Sequence, residues 1–429
     1  MYKRQTEYTY SVTADSSING YQGLNFDIGI PSMTLTNSNS ITSLLTISVT
    51  PEVGNCPGDS TDFIFTINPT PVISDQVTEI CSGEAFIVNP INAPPTTIVP
   101  SGTTYEWVVV NVDSGIPDAL PSSVPQSEIS QVLTNELNIV QSVTYLVTPT
   151  SGTDGNCEGD PFNVIVDVDP VPSIGNIILD PICSGEGFTV SPENGLGVNS
   201  DDVVPSNTTY TWTVLDSSGQ ASGYADQLLP GSSSITQTNL EGQDVPVTLI
   251  YTVTPTSGDQ GNCVGDTFTI EVTINPVPEM DSVQPQTICS GTAFETPLYS
   301  SDVLDSSYFW TLVSQDVPSE VSGYPQSSTY PVQGELIGVA IDNDLTTEYT
   351  LEYALTVSYE GCQGSSVPFF ITVNPSPVVS ITPSGSQSLC LNGVFDTLNV
   401  SYDYPDTISN TTYQWYYNST DTTDISAAL

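Results

Sequence analysis

Phe268-Thr269-Ile270-Glu271-Val272-Thr273-Ile274 alternates apolar and polar residues with a period of two, the mark of a strand with one buried face. Tyr210-Thr211-Trp212-Thr213-Val214 does the same. Runs of this kind, rich in Val, Ile, Thr and Tyr, are bounded by clusters of Gly, Asn, Asp and Ser, the residues of turns. No stretch keeps a helical apolar period between caps, and none holds the roughly 18 apolar residues of a membrane span. The expectation is an all-β chain.

Working outward, both stretches recur. Tyr251-Thr-Val-Thr-Pro-Thr-Ser-Gly258 leads through Gly261-Asn262-Cys263 into the quoted strand, and Tyr145–Gly152 leads likewise to Cys157. Looser versions surround Cys56 and Cys362. The four Trp residues, Trp107, Trp212, Trp310 and Trp415, are 105, 98 and 105 residues apart. Each follows a Tyr by two positions: Tyr105, Tyr210, Tyr308 and Tyr413. Ile-Cys-Ser-Gly stands at 80–83, 182–185 and 288–291, with a degenerate copy around Cys390. A Pro-x-Pro closes each unit at Pro69/Pro71, Pro170/Pro172, Pro276/Pro278 and Pro375/Pro377. A fixed period of this size means a tandem array. The units are expected at 6–72, 73–173, 174–279, 280–378 and 379–429, the first and last partial. Thr6–Val12 aligns with Thr208–Val214, placing Tyr10 in the Trp position. Units of about 100 residues, with some seven strands and a Trp on the third, fit tandem immunoglobulin-like β-sandwiches in an elongated rod.

Charge narrows function. The chain of 429 residues has 49 Asp plus Glu, two Lys plus Arg and no His, a net charge of −47. Nucleic-acid binding is excluded for want of a basic footprint, and an anionic membrane surface would repel the chain. Without His, the Ser-His-Asp and Cys-His arrangements and His-ligated zinc are gone. Carboxylates scattered through repeated turns do not make the fixed pair of a glycosidase. The chain is expected not to be an enzyme. With 21 Tyr, 12 Phe and 4 Trp it is not disordered. Both basic residues lie in Met1-Tyr2-Lys3-Arg4-Gln5, which resembles a translated library adaptor, so residues 1–5 are expected to be foreign and the rest a fragment. From Thr6 onward trypsin has no site.

Ile-Cys-Ser-Gly, Tyr-x-Trp, Tyr-Thr-Val-Thr-Pro-Thr, Gly-Asn-Cys-x-Gly-Asp and Asn-Pro-x-Pro together resemble the PKD-like repeats of Bacteroidetes cell-surface adhesins, gliding-motility adhesins among them. The resemblance covers 6–429. The fourth unit departs from it, with Gly361-Cys362-Gln363-Gly364 lacking the Asp, and Cys390 is not followed by Ser-Gly. It implies an exported surface protein, a type IX secretion cargo, that meets polysaccharide or an abiotic surface. Alternatives are an accessory array of a secreted polysaccharide-degrading enzyme and a purely structural stalk.

Regular cysteines in a secreted-looking chain read as disulfides. The simplest pairing lies within units: Cys81–Cys157, Cys183–Cys263 and Cys289–Cys362, with Cys56 and Cys390 unpaired. The sandwich topology raises the other possibility. If Ile-Cys-Ser-Gly and Gly-Asn-Cys lie at opposite poles, the bonds join neighbouring units, Cys81–Cys263 and Cys183–Cys362. No cofactor is expected. Asp154, Asp160, Asp259 and Asp266 offer calcium ligands in short turns, although Asp is an ordinary turn former. The Tyr-x-Trp pairs are read as inward-facing core. Tyr21, Tyr224 and Tyr324, each after a Gly, either stack on sugar or plug the end of a sandwich. Asp281-Ser282-Val283, Asp396-Thr397-Leu398 and Asp406-Thr407-Ile408 resemble the O-glycosylation sequon of the same bacteria.

Overall fold

The computed structural model describes residues 7–21, 32–152, 155–195, 201–258, 261–295, 299–328, 336–382, 384–385, 388, 390–394, 397 and 399–403. Among them there are strands and turns and no helix. Residues 1–5, Asp154, Asp259, Tyr413, Trp415 and the sequons at Asp396 and Asp406 fall wholly or partly outside this set.

The quoted stretch is the strand Phe268–Asn275, whose Phe268, Ile270, Val272 and Ile274 are all buried. It pairs antiparallel with Val247–Thr256, which pairs in turn with the Trp strand Thr209–Asp216, and Gln227–Ser232 closes that edge. A second sheet of Glu186–Val190, Ile235–Gly242 and Ala221–Ser222 lies opposite. Apolar residues at every second position therefore face a common core of Tyr210, Trp212, Leu249, Tyr251, Val253 and their neighbours. Each fully buried side chain contributes about 1.5–3 kcal/mol. The repeats before and after it are built alike, around Trp107 with Tyr145 and around Trp310 with Tyr353. This is a series of all-β, immunoglobulin-like sandwiches.

The first strand of each complete repeat runs parallel to the last. Ile80 stands beside Val168 and Cys81 beside Asp169. Ile182 pairs with Ile274 and Cys183 with Asn275, and Ile288 pairs with Val373 and Cys289 with Asn374. The Ile-Cys end of the first strand is thus carried to the pole where the chain leaves the repeat. The Gly-Asn-Cys loop precedes the last strand and lies at the pole where the chain enters.

In the first unit, Glu7–Ala14, Ser43–Val53 and Thr61–Ile67 form a smaller assembly over Ile18, Leu45 and Ile47, with Tyr10 packed against it. Here Phe63 and Phe65 are exposed, whereas their counterparts in the complete repeats are covered. Val378–Thr382 pairs with Asn399–Asp403 beyond the fourth unit.

Candidate functional site at the repeat joints

The recurring motifs converge on the joints, where each residue has a structural task. In Ile-Cys-Ser-Gly the Ile belongs to the parallel strand. The Ser hydroxyl accepts the backbone N–H of Asn135 (2.8 Å), Gly242 (3.2 Å) and Asn343 (2.8 Å) in successive repeats. The Gly turns the chain at φ of 85°, 91° and 77° for Gly83, Gly185 and Gly291, a region a side chain would oppose.

The opposing loop is equally determined. Ser151 and Ser257 of Thr-Ser-Gly accept the N–H of Cys157 and Cys263 at 2.8 Å, and Asn156 and Asn262 take the left-handed conformation that Asn tolerates. The next glycine meets the linker. At Gly159, Gly265 and Gly364 an added methyl would overlap the carbonyl oxygen of Pro71, Pro172 and Pro278. Pro170, Pro172, Pro276 and Pro278 are buried, so the Pro-x-Pro segments are packed into the joints.

Disulfides join Cys81 to Cys263 and Cys183 to Cys362, with Cα–Cα distances of 5.7 and 5.5 Å. The within-unit pairs Cys81–Cys157, Cys183–Cys263 and Cys289–Cys362 are therefore corrected. Cys81 lies beside Asp169, at the far end of the eight-residue strand Phe162–Asp169 from Cys157. Roughly 25 Å of strand separates them, against about 7 Å for bridged Cα atoms. Cys157, Cys289, Cys56 and Cys390 are free, the last three exposed.

One joint carries an ionisable group of unusual character. Asp169 is 2% exposed, and its Oδ2 has no hydrogen-bond partner. Burial, then the hydrogen bond and charge of Glu79 and the charge of Asp167, push its carboxyl up to about 7. Gly261 of the next repeat lies against it, so closely that a methyl at Gly261 would overlap the carboxylate.

Tyr105, Trp107, Tyr210, Trp212 and Trp310 are buried, and Tyr308 is half-buried. The indoles of Trp107 and Trp212 donate to the carbonyls of Leu120 (3.1 Å) and Ala225 (3.0 Å). Burial alone pushes Tyr210 up to about 12. Tyr21 and Tyr324 are partly buried against their cores, while Tyr224 is 36% exposed. Ile116, which replaces this Tyr in one repeat, is 4% exposed. Asp160 and Asp266 are exposed, and no group of three or more metal-binding side chains is found among the described residues.

Sequence reasoning missed a buried Asn that ties loop to strand. Asn135 donates to Ile139 and Val168 carbonyls, both at 2.8 Å, and Asn343 to those of Thr347 (3.0 Å) and Val373 (2.7 Å). Asn37 does the same with Ile41 and Ile67. Recurrence about 100 residues apart was the available signal, but the third unit has Gly242 in its place.

A family model described as "PKD-like domain" matches residues 78–172, 181–278 and 286–377. No curated protein matches the chain significantly. Among solved structures, the I-band fragment I67–I69 from titin is 9% identical, with a TM-score of 0.32, covering 71% of this chain and 97% of its own. Drosophila N-cadherin EC1–4 is 12% identical, with a TM-score of 0.25 and coverage of 88% and 94%. The human desmocollin-1 ectodomain is 10% identical, with a TM-score of 0.27 and coverage of 90% and 78%. Nothing about this chain's function follows from similarities of that size.

Proposed function

Because the chain belongs to the PKD-like domain family, we propose that it is a non-catalytic spacer array of an extracellular surface protein, with joints set by covalent bonds. The observation that carries this reading is that both disulfides cross a joint, while each complete repeat closes its core without one. Such bonds persist in oxidising surroundings, which supports an extracellular site. Among the described residues no helix is long and apolar enough to cross a membrane. Three units of roughly 35–40 Å each would hold a partner roughly 105–120 Å away.

The finer reading is an adhesin of a Bacteroidetes cell, exported by type IX secretion and touching polysaccharide or an abiotic surface, with gliding as one setting. Its support is the motif set quoted above. The spacer is tested by small-angle scattering of the oxidised chain. An extended particle is expected, with a radius of gyration well above the ~22 Å of a compact globule of this length. A value near ~22 Å would overturn the reading. Retention on polysaccharide-coated or bare glass separates adhesin from plain stalk.

A further inference from the structure

The two disulfides do more than fasten neighbours, because the loops they close overlap. Cys81–Cys263 spans 182 residues and Cys183–Cys362 spans 179, and both include the stretch from 183 to 263. Taking each disulfide as one covalent knot, the chain passes between the same two knots three times. Cys81 to Cys183 is 102 residues, Cys183 to Cys263 is 80, and Cys263 to Cys362 is 99. These segments hold most of the second, third and fourth repeats, respectively.

We propose that the crossed disulfides make these three repeats an extension-limited tether, in which tension enters at Cys81–Cys263, leaves at Cys183–Cys362, and is shared by three parallel chain segments. This rests on the spacer reading and says how the spacer behaves under pull.

The geometry shows why. A pull on the N-terminal side runs along Gln76–Cys81 and crosses directly into the loop of the next repeat at Cys263. The body of the second repeat, which returns to Asp169 beside Cys81, lies off this line. Within the third repeat the pulled points sit at opposite ends of adjacent parallel strands, Cys183 beside Asn275 at one pole and Cys263 before Phe268 at the other. That pair is loaded along its length, across all its hydrogen bonds at once. The knots can separate only when all three segments lengthen, so unravelling one repeat alone yields little extension. The shortest segment sets the limit.

The arithmetic is sharp. Without disulfides, the 281 residues from Cys81 to Cys362 would extend to roughly 930–1,010 Å; with both, the limit is the 80-residue segment, roughly 260–290 Å. Either disulfide alone is nearly as effective. Losing Cys81–Cys263 leaves a path of 102 residues, and losing Cys183–Cys362 leaves one of 99.

The test is single-molecule force extension of the whole chain held by its two ends, before and after reductant, which leaves the contribution of the flanking partial units common to both. Reduction is expected to lengthen the fully extended chain by roughly 660–720 Å and to replace one concerted yielding event in 81–362 with three separate ones. Cys81→Ser with Cys263→Ser, or Cys183→Ser with Cys362→Ser, is expected to add less than ~80 Å, and the fourfold replacement the whole difference. Three successive full-length events in the oxidised chain, or a length that reduction does not change, would overturn the proposal. Should a variant fold poorly, reduction of the unmodified chain decides. A stalk that binds no surface still passes this test, so its outcome is separate from that of the adhesion assay.

Discussion

The joint after the second repeat and the joint after the third use the same parts but differ in the charges around the linker. Each has a buried Pro-x-Pro, a disulfide from the first strand of one repeat to the loop of the next, and a glycine pressed against the linker carbonyl. The earlier joint has Asp169 where the later has Asn275, and Asn68 and Asn374 occupy the same place elsewhere. Their loops differ too. Gly261 presses on the Asp169 carboxylate, whereas Gly361 has open space, because the fourth repeat replaces the longer loop with a tight turn pairing Tyr359 with Cys362. What holds a joint is thus backbone fit and a covalent bond. The side chain beneath the loop is free to vary and sets how the joint responds to its surroundings.

Five substitutions break or sharpen this comparison, in order of effect. Gly265→Val and Gly364→Val drive a side chain into the linker carbonyls of Pro172 and Pro278, and each should cost about 3 kcal/mol in denaturant unfolding. Equal loss at both positions would show that the joints share one mechanical design.

Asp169→Asn removes the one buried charge at the earlier joint that the later joint lacks. An unfolded Asp ionises near 4, while the folded group at Asp169 does so at about 7. Across that window the folded joint keeps a proton the unfolded chain has lost, so stability falls as pH rises from about 4 to about 7. Glu79, on the paired strand, and Asp167, two residues earlier on the same strand, both add negative charge beside the group. The Asn variant should gain a few kcal/mol at pH 8, up to the ~4 kcal/mol that a shift from about 4 to about 7 allows, and almost nothing at pH 4, as read by denaturation at both values. The reverse exchange, Asn275→Asp, should give the later joint a pH dependence of the same sign but smaller, because Thr273 and Pro181 stand where Asp167 and Glu79 do.

Glu360 sits at φ 45°, a conformation Asn accepts more readily. Glu360→Asn should stabilise the tight turn by about 1 kcal/mol, with no counterpart in the earlier joint. Thiol titration of the unfolded, unreduced chain should find four groups, those of Cys56, Cys157, Cys289 and Cys390. Two, or none, would contradict the assigned bonds.

Much of the fold is legible in the sequence. The alternation in Phe268–Asn275 has its apolar side chains buried at every second position, because a strand's side chains alternate between faces. The spacing of Trp107, Trp212 and Trp310 marked three equivalent cores, and all three are buried. The Gly of Ile-Cys-Ser-Gly, and Asn156 and Asn262 of Gly-Asn-Cys, stand in turns and take the left-handed conformation. The candidate site was only half legible. The motifs that build the joint were visible, but the joint itself was not, since its two halves belong to different repeats.

Sequence by itself determined the local matters: strand period, repeat length, turn positions, the charge and the number of cysteines. Those follow from properties of neighbouring residues. Tertiary structure alone decided which cysteine meets which, because that depends on the first strand lying parallel to the last and carrying Cys81 to the pole opposite Cys157. It also decided the state of Asp169. As one of 49 acidic residues it is unremarked in the sequence, and only burial beside Glu79, under the next repeat's Gly261, makes its charge costly.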